Sequence, residues 1–458
     1  MPSPLRRVEL YERVGRVVEV KGQAIEADGP DAFLGEVCEI RSPHAREPLQ
    51  AEVVGFRDGR VCLTPFADPH GLSVGASVVA TGEAFAVPVG PQLLGRVIDP
   101  FGRPLDGGPA IEASQRMPLR ASAVPAMTRR RIAQAVHTGV KAIDAFLPLG
   151  LGQRVGLFAG SGVGKSTLLG MVVRGVDVEI NVVALVGERG REVREFVEDH
   201  LGEEGLKRSV VVVATADTPA IVRLSAAYSA TAIAEYFRDE GRSVLLTVDS
   251  LTRVAMARRE IGLAAGEPPT SRGYTPSVFS ELPALCERCG TSAGSGSITG
   301  VFTVLVEGDD FNEPVSDTAR ATLDGHIMLT RELAAAGHYP PVDLLQSVSR
   351  LAGVLWSAEQ RTLVAQLLEC LSTYERNRQL IEIGAWREGA NAELDRAVQV
   401  VPALRRLLAQ RGEEQLPEAA AQAQFWQQLA LLLRPQAAAR PSNQPTSLST
   451  GGRHATRA

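Results

Sequence analysis

Apolar positions change their spacing twice along the chain, and the changes divide it. From residue 11 to about 86 they fall in short Val- and Ile-rich runs, Arg16–Lys21, Ala51–Val54 and Arg60–Leu63, set apart by turn signals at Asp28-Gly-Pro30, Asp58-Gly59 and Val74-Gly-Ala76. Strands of that length and spacing predict a small closed β-barrel, suited to assembly or docking. Between Pro88 and Gly150, segments such as Asp99–Pro104 and Asp106–Gly108 are punctuated by Gly and Pro and predict loops packed on a larger domain. There Thr128–Arg131 reads as a solvated basic linker. From Gln153 to about 349, continuous apolar runs at Asn181–Gly187, Ser209–Val213, Ser243–Val248 and Ile298–Val306 alternate with helical stretches, one of them from Pro219 to about Asp239. That alternation predicts a mostly parallel α/β sheet. From Leu351 to Leu433 the period is helical throughout. The final stretch, rich in Pro, Ala, Ser and Thr and without an acidic residue, predicts a disordered tail. The expected domains are 1–86 (barrel), 87–355 (α/β), 356–433 (helical) and the tail 434–458.

One stretch carries chemistry of its own. Val155 to Thr167 reads as a buried strand, a glycine-rich loop and the first turn of a helix, the context in which a phosphate-binding loop is credible. Gly160, Gly162 and Gly164 let the backbone curl around a phosphate, with Ser161, Val163 and Thr167 completing the cradle, and the helix start adds its positive end. Lys165 would reach the β- and γ-phosphates and the Ser166 hydroxyl would ligate Mg²⁺. The first position of the usual motif is Ala159 rather than Gly; it is expected to close the strand with negative φ, since Ala adopts positive φ only at a cost.

Two later strands end in acids. Asn181–Gly187 runs into Glu188 and Arg189, read as one strand away from the cradle, and Ser243–Val248 runs into Asp249. Ligands of parallel sheets bind at carboxyl ends of strands, so Glu188 is a candidate to orient and deprotonate water, Arg189 to hold the γ-phosphate, and Asp249 to face Mg²⁺ opposite Ser166. The acidic segment Glu307–Pro314 reads as solvated surface.

Composition adds limits. A net charge of −5 argues against whole-surface attraction to nucleic acid or anionic membrane. No run of 18 apolar residues occurs, and Met1–Val8 lacks the apolar core of a signal peptide, so a cytoplasmic protein is expected. Five cysteines predict no disulfide framework; the lone Cys286-Glu-Arg-Cys289 is expected to be a reduced, structural pair, with both thiols on one face of a helix.

Together, Ala159–Ser166, Gly187-Glu-Arg-Gly-Arg-Glu-Val193, Val248-Asp-Ser-Leu-Thr-Arg253, Arg259–Pro269 and Leu323-Asp-Gly-His-Ile327 closely resemble the type III secretion export ATPases, flagellar and injectisome, relatives of the catalytic subunits of rotary ATP synthases. The likeness covers roughly residues 13 to 433. It implies an α/β fold with a central RecA-like phosphate-loop domain, an N-terminal barrel and a C-terminal α-helical domain. It also implies a homohexameric ring hydrolysing ATP with Mg²⁺ at sites between subunits, at the inner face of the cytoplasmic membrane. Its partners would be a stator, a central stalk and chaperone–cargo complexes, with no nucleic acid; peripheral membrane contact is left open. Lys165, Ser166, Glu188, Arg189 and Asp249 match the family's site. Arg350, in Ser347-Val-Ser-Arg350, matches an arginine inserted by the neighbouring subunit, and Tyr339 an aromatic stacked on adenine; Trp386 is a second such aromatic with a looser match.

The same residues would serve a catalytic subunit of a rotary ATP synthase or ion pump. The run Glu267–Tyr274 and the lack of a strongly acidic loop in the helical domain favour the export class. A nucleic-acid translocase is opposed by the acidic charge and by a barrel without basic-aromatic patches. Glu188 speaks against a catalytically silent subunit.

Overall fold

The computed structural model describes residues 12–43, 45–306, 308, 310–311, 313–414 and 419–434. Six strands, β1 (Val14–Lys21), β2 (Ala24–Asp28), β3 (Glu36–Arg41), β4 (Leu49–Arg57), β5 (Arg60–Pro65) and β6 (Ser77–Ala84), close into a barrel in the order β1-β2-β5-β4-β3-β6. Closure removes the exposed edges that an open sheet would present. Val17, Ile25, Ile40, Val53, Leu63 and Val78 fill the interior. Asp58 (φ 49°) and Gly59 (φ 77°) make the two-residue turn that pairs Arg57 with Arg60, the left-handed conformation tight hairpins require. Phe66 and Phe85, beyond and at the end of the barrel, meet Phe101 edge-on at 5.0 and 4.8 Å and dock it on the next domain.

That domain is built on a nine-stranded sheet. Eight strands, β7 (Arg96–Ile98), β8 (Arg154–Ala159), β9 (Ile180–Glu188), β10 (Ser209–Thr215), β11 (Ser243–Asp249), β12 (Ser297–Leu305), β13 (Gly325–Leu329) and β14 (Val342–Ser349), lie in the order β14-β13-β8-β12-β11-β9-β10-β7. All neighbours are parallel except β14 on β13, and the two residues Gly290–Thr291 add an antiparallel start to β12. Helices α1 (Lys165–Gly175), α2 (Ala220–Asp239), α3 (Leu251–Ala264) and α4 (Pro276–Glu287) cover its faces. On β9, Val182, Ala184 and Val186 enter the core under α2, while Val183 and Leu185 enter the core under α1. A strand buried on both faces has no polar side to show, which is why it reads as an unbroken apolar run.

Strands β7, β13 and β14 go beyond what the apolar pattern predicts. β7 is three residues long inside a Gly- and Pro-punctuated stretch, so the region before Gly150 is more than loops. β14 is an antiparallel edge strand, half exposed and interspersed with Asp343, Gln346, Ser347 and Ser349. The basic run is not a solvated linker: Arg129 donates to the carbonyls of Val124, Glu287 and Cys289, and Arg130 to those of Ser292 and Ser295. Nor is the acidic segment plain surface. Asp310 pairs with Arg272, and Glu313 is buried and accepts from the Tyr274 hydroxyl at 3.2 Å. Glu307, Asp309 and Asn312 lie outside the described residues, as does the tail from 435.

The C-terminal region is helical but interrupted. Short helices Ala352–Leu355 and Arg378–Glu382 flank α5 (Ala358–Arg376), and α6 (Ala392–Leu408) and α7 (Ala419–Leu432) follow. Ser357 and Gln360 cap α5 reciprocally, and Asn391 caps α6 after the non-helical stretch from Ile383. Cys286 lies on α4 and Cys289 just past its end; both are buried free thiols, and burial pushes Cys289 up to about 12, so neither is a nucleophile at neutral pH. Among the described residues no helix is long and apolar enough to cross a membrane.

Arg288, 2% exposed, is held by Glu235 on α2, with Nε 3.0 Å from Oε1, and also donates to the Leu119 carbonyl. Glu235→Ala leaves a guanidinium buried without its counter-charge and should destabilise the domain by about 3–5 kcal/mol in denaturant unfolding. Combining Glu235→Leu with Arg288→Met should recover most of that loss.

Candidate active site

Ala159 ends β8 fully buried and without positive φ, so the strand stops where the loop begins. The turn is made by Gly162 (φ 77°) and Gly164 (φ 94°), and α1 starts at Lys165. Ser161, Gly162, Ser166 and Thr167 are exposed on the rim, while Val163 is buried and anchors the loop from below. The backbone N–H groups of the first helical turn are thereby free to meet an anion.

Lys165 turns inward. Its Nζ contacts Asp249 Oδ1 and lies 3.5 Å from Glu188 Oε1. Burial alone would lower its pKa, but the two carboxylates outweigh that and hold it above the ordinary value. Asp249 is 2% exposed at the end of β11, and Thr303 of β12 donates to the same Oδ1 at 2.6 Å. Glu188 follows a bulge in β9 at Gly187 (φ 69°), where a Cβ would press on the Arg253 side chain at 3.2 Å. Burial pushes the Glu188 carboxyl up; Lys165 opposes this, Asp249 and a hydrogen bond with Glu192 reinforce it, and the result is about 7. A group poised there can take or give a proton near neutral pH.

Glu188 is not one strand from the cradle: β12 and β11 stand between β9 and β8, because chain order and sheet order differ. Lys165, Asp249 and Glu188 are brought together; Arg189 and Arg350 are not. Arg189 is 80% exposed and rests on Glu192 at 3.3 Å. Arg350, just past β14, is exposed and donates to the Arg320 carbonyl at 3.0 Å.

A pocket of about 500 Å³ opens beside the loop, lined by Gly164, Thr167, Met171, Tyr339, Pro341, Gln410 and Gly412. Its size suits a nucleoside. The Tyr339 ring packs toward Gly164, is half exposed and lines the pocket. Trp386 does not line it and instead donates to Asp395 at 2.9 Å. Three features escaped the sequence. Gln410, 4% exposed, fixes the far wall by bonding Lys141 N–H, the Gly139 and Glu414 carbonyls and, through its own N–H, the Tyr339 carbonyl. Arg253 has a buried Nε without a hydrogen-bond partner among the described residues, over Gly187. Thr303 is one of three hydroxyl residues in its strand, with Ser297 and Thr299, and nothing in the sequence singles it out.

A phosphate loop, an inward lysine, two strand-end carboxylates and a base-sized pocket define a phosphate-loop nucleotide-binding protein. Residues 139–349 match the ATP synthase alpha/beta family, nucleotide-binding domain, residues 17–82 that family's beta-barrel domain, and residues 356–427 the T3SS EscN ATPase C-terminal domain. The chain is 49% identical to the flagellum-specific ATP synthase of Bacillus subtilis, covering 90% of this chain and 94% of that one. It is also 49% identical to the type 3 secretion system ATPase of Xanthomonas euvesicatoria, covering 89% and 92%. The assembled ATPase EscN of the enteropathogenic E. coli type III secretion system superposes with a TM-score of 0.85 at 40% identity, over 91% of this chain and all of that one. The chain belongs to the flagellar and type III secretion ATPase family, and the match of its C-terminal region disfavours the rotary-synthase reading.

Because Tyr339 lines the pocket and is half exposed, Tyr339→Ala should weaken binding of a fluorescent adenine nucleotide about tenfold, within the range of base–aromatic stacking. Trp386→Ala should leave that affinity unchanged in the same titration.

Proposed function

We propose that the chain hydrolyses ATP as one subunit of a homohexameric ring that drives protein export, releasing cargo from chaperones and unfolding it. The observation that carries the reading is the buried Lys165–Asp249–Glu188 cluster at the head of the sheet, beneath the start of α1. Lys165 exchanges its carboxylates for the β- and γ-phosphates when nucleotide enters the loop, and Glu188, relieved of the ammonium, accepts the proton of the attacking water. Gly160 to Thr167 hold the phosphates and Tyr339 holds the base.

The residues fit a Mg²⁺ ion. The Ser166 hydroxyl is exposed on the first turn of α1, and Asp249 Oδ2 has no hydrogen-bond partner among the described residues. Ser166 and Asp249 would hold the ion, a hard oxygen-ligand pair of the kind Mg²⁺ takes together with phosphates. When bound, Mg²⁺ supplies charge neutralisation at the phosphate oxygens.

Arg189 swings from Glu192 to the γ-phosphate, and Arg350 reaches the site of the next subunit. Its exposure past the sheet's edge strand, without contact to its own Lys165 cluster, supports a role in trans. EscN has been solved in complex with its central stalk EscO, a structure that matches 92% of this chain at a TM-score of 0.83. A central stalk, a peripheral stator and chaperone–cargo complexes are the partners we assign, at the cytoplasmic face of the membrane.

Glu188→Gln should bind ATP normally and lose about 10²- to 10⁴-fold in kcat, the usual contribution of a positioned base. The wild-type profile should carry an acid limb. The folded pKa of Glu188 is raised to about 7, so its carboxylate form is depleted below that pH, and kcat/KM should fall toward tenfold per unit under pH 7. Normal turnover by the variant would remove Glu188 from this role.

Arg350→Ala should bind nucleotide and lose about 10³-fold or more in kcat, as removal of a finger in trans does elsewhere. Loss of affinity in a monomeric sample would put Arg350 in its own subunit's site.

A further inference from the structure

The Lys165 cluster contains a fourth polar group, and its position is the informative part. Thr303 lies on β12, the strand between the phosphate-loop strand β8 and the Asp249 strand β11, in register with Leu157. It is fully buried between Phe302 and Val304, where a hydroxyl is unfavourable unless it is hydrogen-bonded. Its Oγ1 lies 2.6 Å from Asp249 Oδ1, the oxygen that also meets Lys165. An ionised carboxylate only accepts, so the hydroxyl proton is committed to Asp249.

We propose that Thr303 is a positioning residue for the metal side of the site. Its hydroxyl fixes the carboxylate of Asp249 so that Oδ1 faces the loop lysine and Oδ2 faces the Mg²⁺ of the bound nucleotide. When phosphate draws Lys165 away, Thr303 is the remaining side-chain partner of Oδ1 and keeps the carboxylate from rotating. A threonine on a strand is well suited to this, since its branched Cβ restricts χ1 and the backbone around it is locked by β8 and β11 on either side. The inference rests on the reading that this site binds a Mg²⁺–nucleotide.

The test uses the full chain and its Thr303→Val and Thr303→Ser variants. Each is melted with ADP and Mg²⁺ and with ADP and EDTA, and the Mg²⁺ concentration for half-maximal ATPase activity is measured at saturating ATP. Valine keeps the shape and removes the donor; serine restores the donor. Thr303→Val should lose most of the Mg²⁺-dependent part of the ADP shift, keep the shift seen in EDTA, and need about tenfold more Mg²⁺, the effect of losing one charged hydrogen bond. Thr303→Ser should restore both values to near wild type. A valine variant with wild-type Mg²⁺ response, or a serine variant that behaves like valine, overturns the proposal. Should the valine variant not fold, Thr303→Cys, a weak donor of similar size, takes its place and should show the same loss in smaller measure; a wild-type response from it counts against the proposal. Glu188→Gln run alongside separates the two readings. If it hydrolyses ATP normally while Thr303→Val loses its Mg²⁺ response, the base assignment fails and the role of Thr303 stands; if it is silent and Thr303→Val is normal, only the role of Thr303 falls.

Discussion

An ammonium group held almost out of water at the head of a parallel sheet is the constraint on which this structure turns. The Lys165 side chain is 11% exposed, and a buried cation is several kcal/mol unfavourable unless opposite charge meets it in good geometry. Two carboxylates do so, from strands that are neighbours in the sheet although they stand 61 positions apart in the chain (249 − 188). Bringing them there requires that β9 and β11 run parallel, that β9 run on three residues past Leu185, the register partner of Asp249, and that β12 slot between β11 and β8. The glycine bulge before Glu188 and the Thr303 hydroxyl then aim the two carboxylates. Internal charge pairing of this kind leaves the site ready to exchange carboxylate for phosphate.

The loop helix is also shared property. Leu168, Leu169 and Val172 of α1 sit in the same core as Val364 and Leu367 of α5, Val401 and Leu404 of α6, and Leu429 of α7. Arg174 near the end of α1 donates to the Gly412 carbonyl, and Gln410 ties the segment after α6 to the Tyr339 carbonyl. The C-terminal helices thus share a core with the loop helix, and the segment after α6 touches it directly; well-packed interiors transmit small displacements rather than absorbing them. This gives the C-terminal region a direct physical route to the occupancy of the loop.

The sheet and its site were unevenly legible. Strands β9 to β12 announce themselves because burial on both faces favours apolar residues throughout, and Glu188 and Asp249 stand where two of those runs stop. The barrel hairpins were readable from Asp58-Gly59 and its like, since positive φ restricts which residues fit. β13 and β14 were not, because a short strand and a half-exposed edge strand carry little pattern. The basic run Arg129–Arg130 reads as solvated because most of its partners are backbone carbonyls, which have no sequence signature.

Local character, then, was legible in the sequence alone: a glycine-rich loop between strand and helix, a lysine at the helix start and acids at strand ends. Glycine freedom, strand burial and residue charge are properties of short stretches, so they can be read without knowing the fold. Tertiary structure decided what those residues face. Strand order placed Glu188 beside Asp249 and not beside the loop, crossing of the chain delivered Thr303 and Gln410, and the side chains of Arg189 and Arg350 were left facing outward. Through-space neighbours at separations of 54 or 84 residues follow from which strands pair, and pairing is fixed by burial of the whole sheet rather than by any one segment of it.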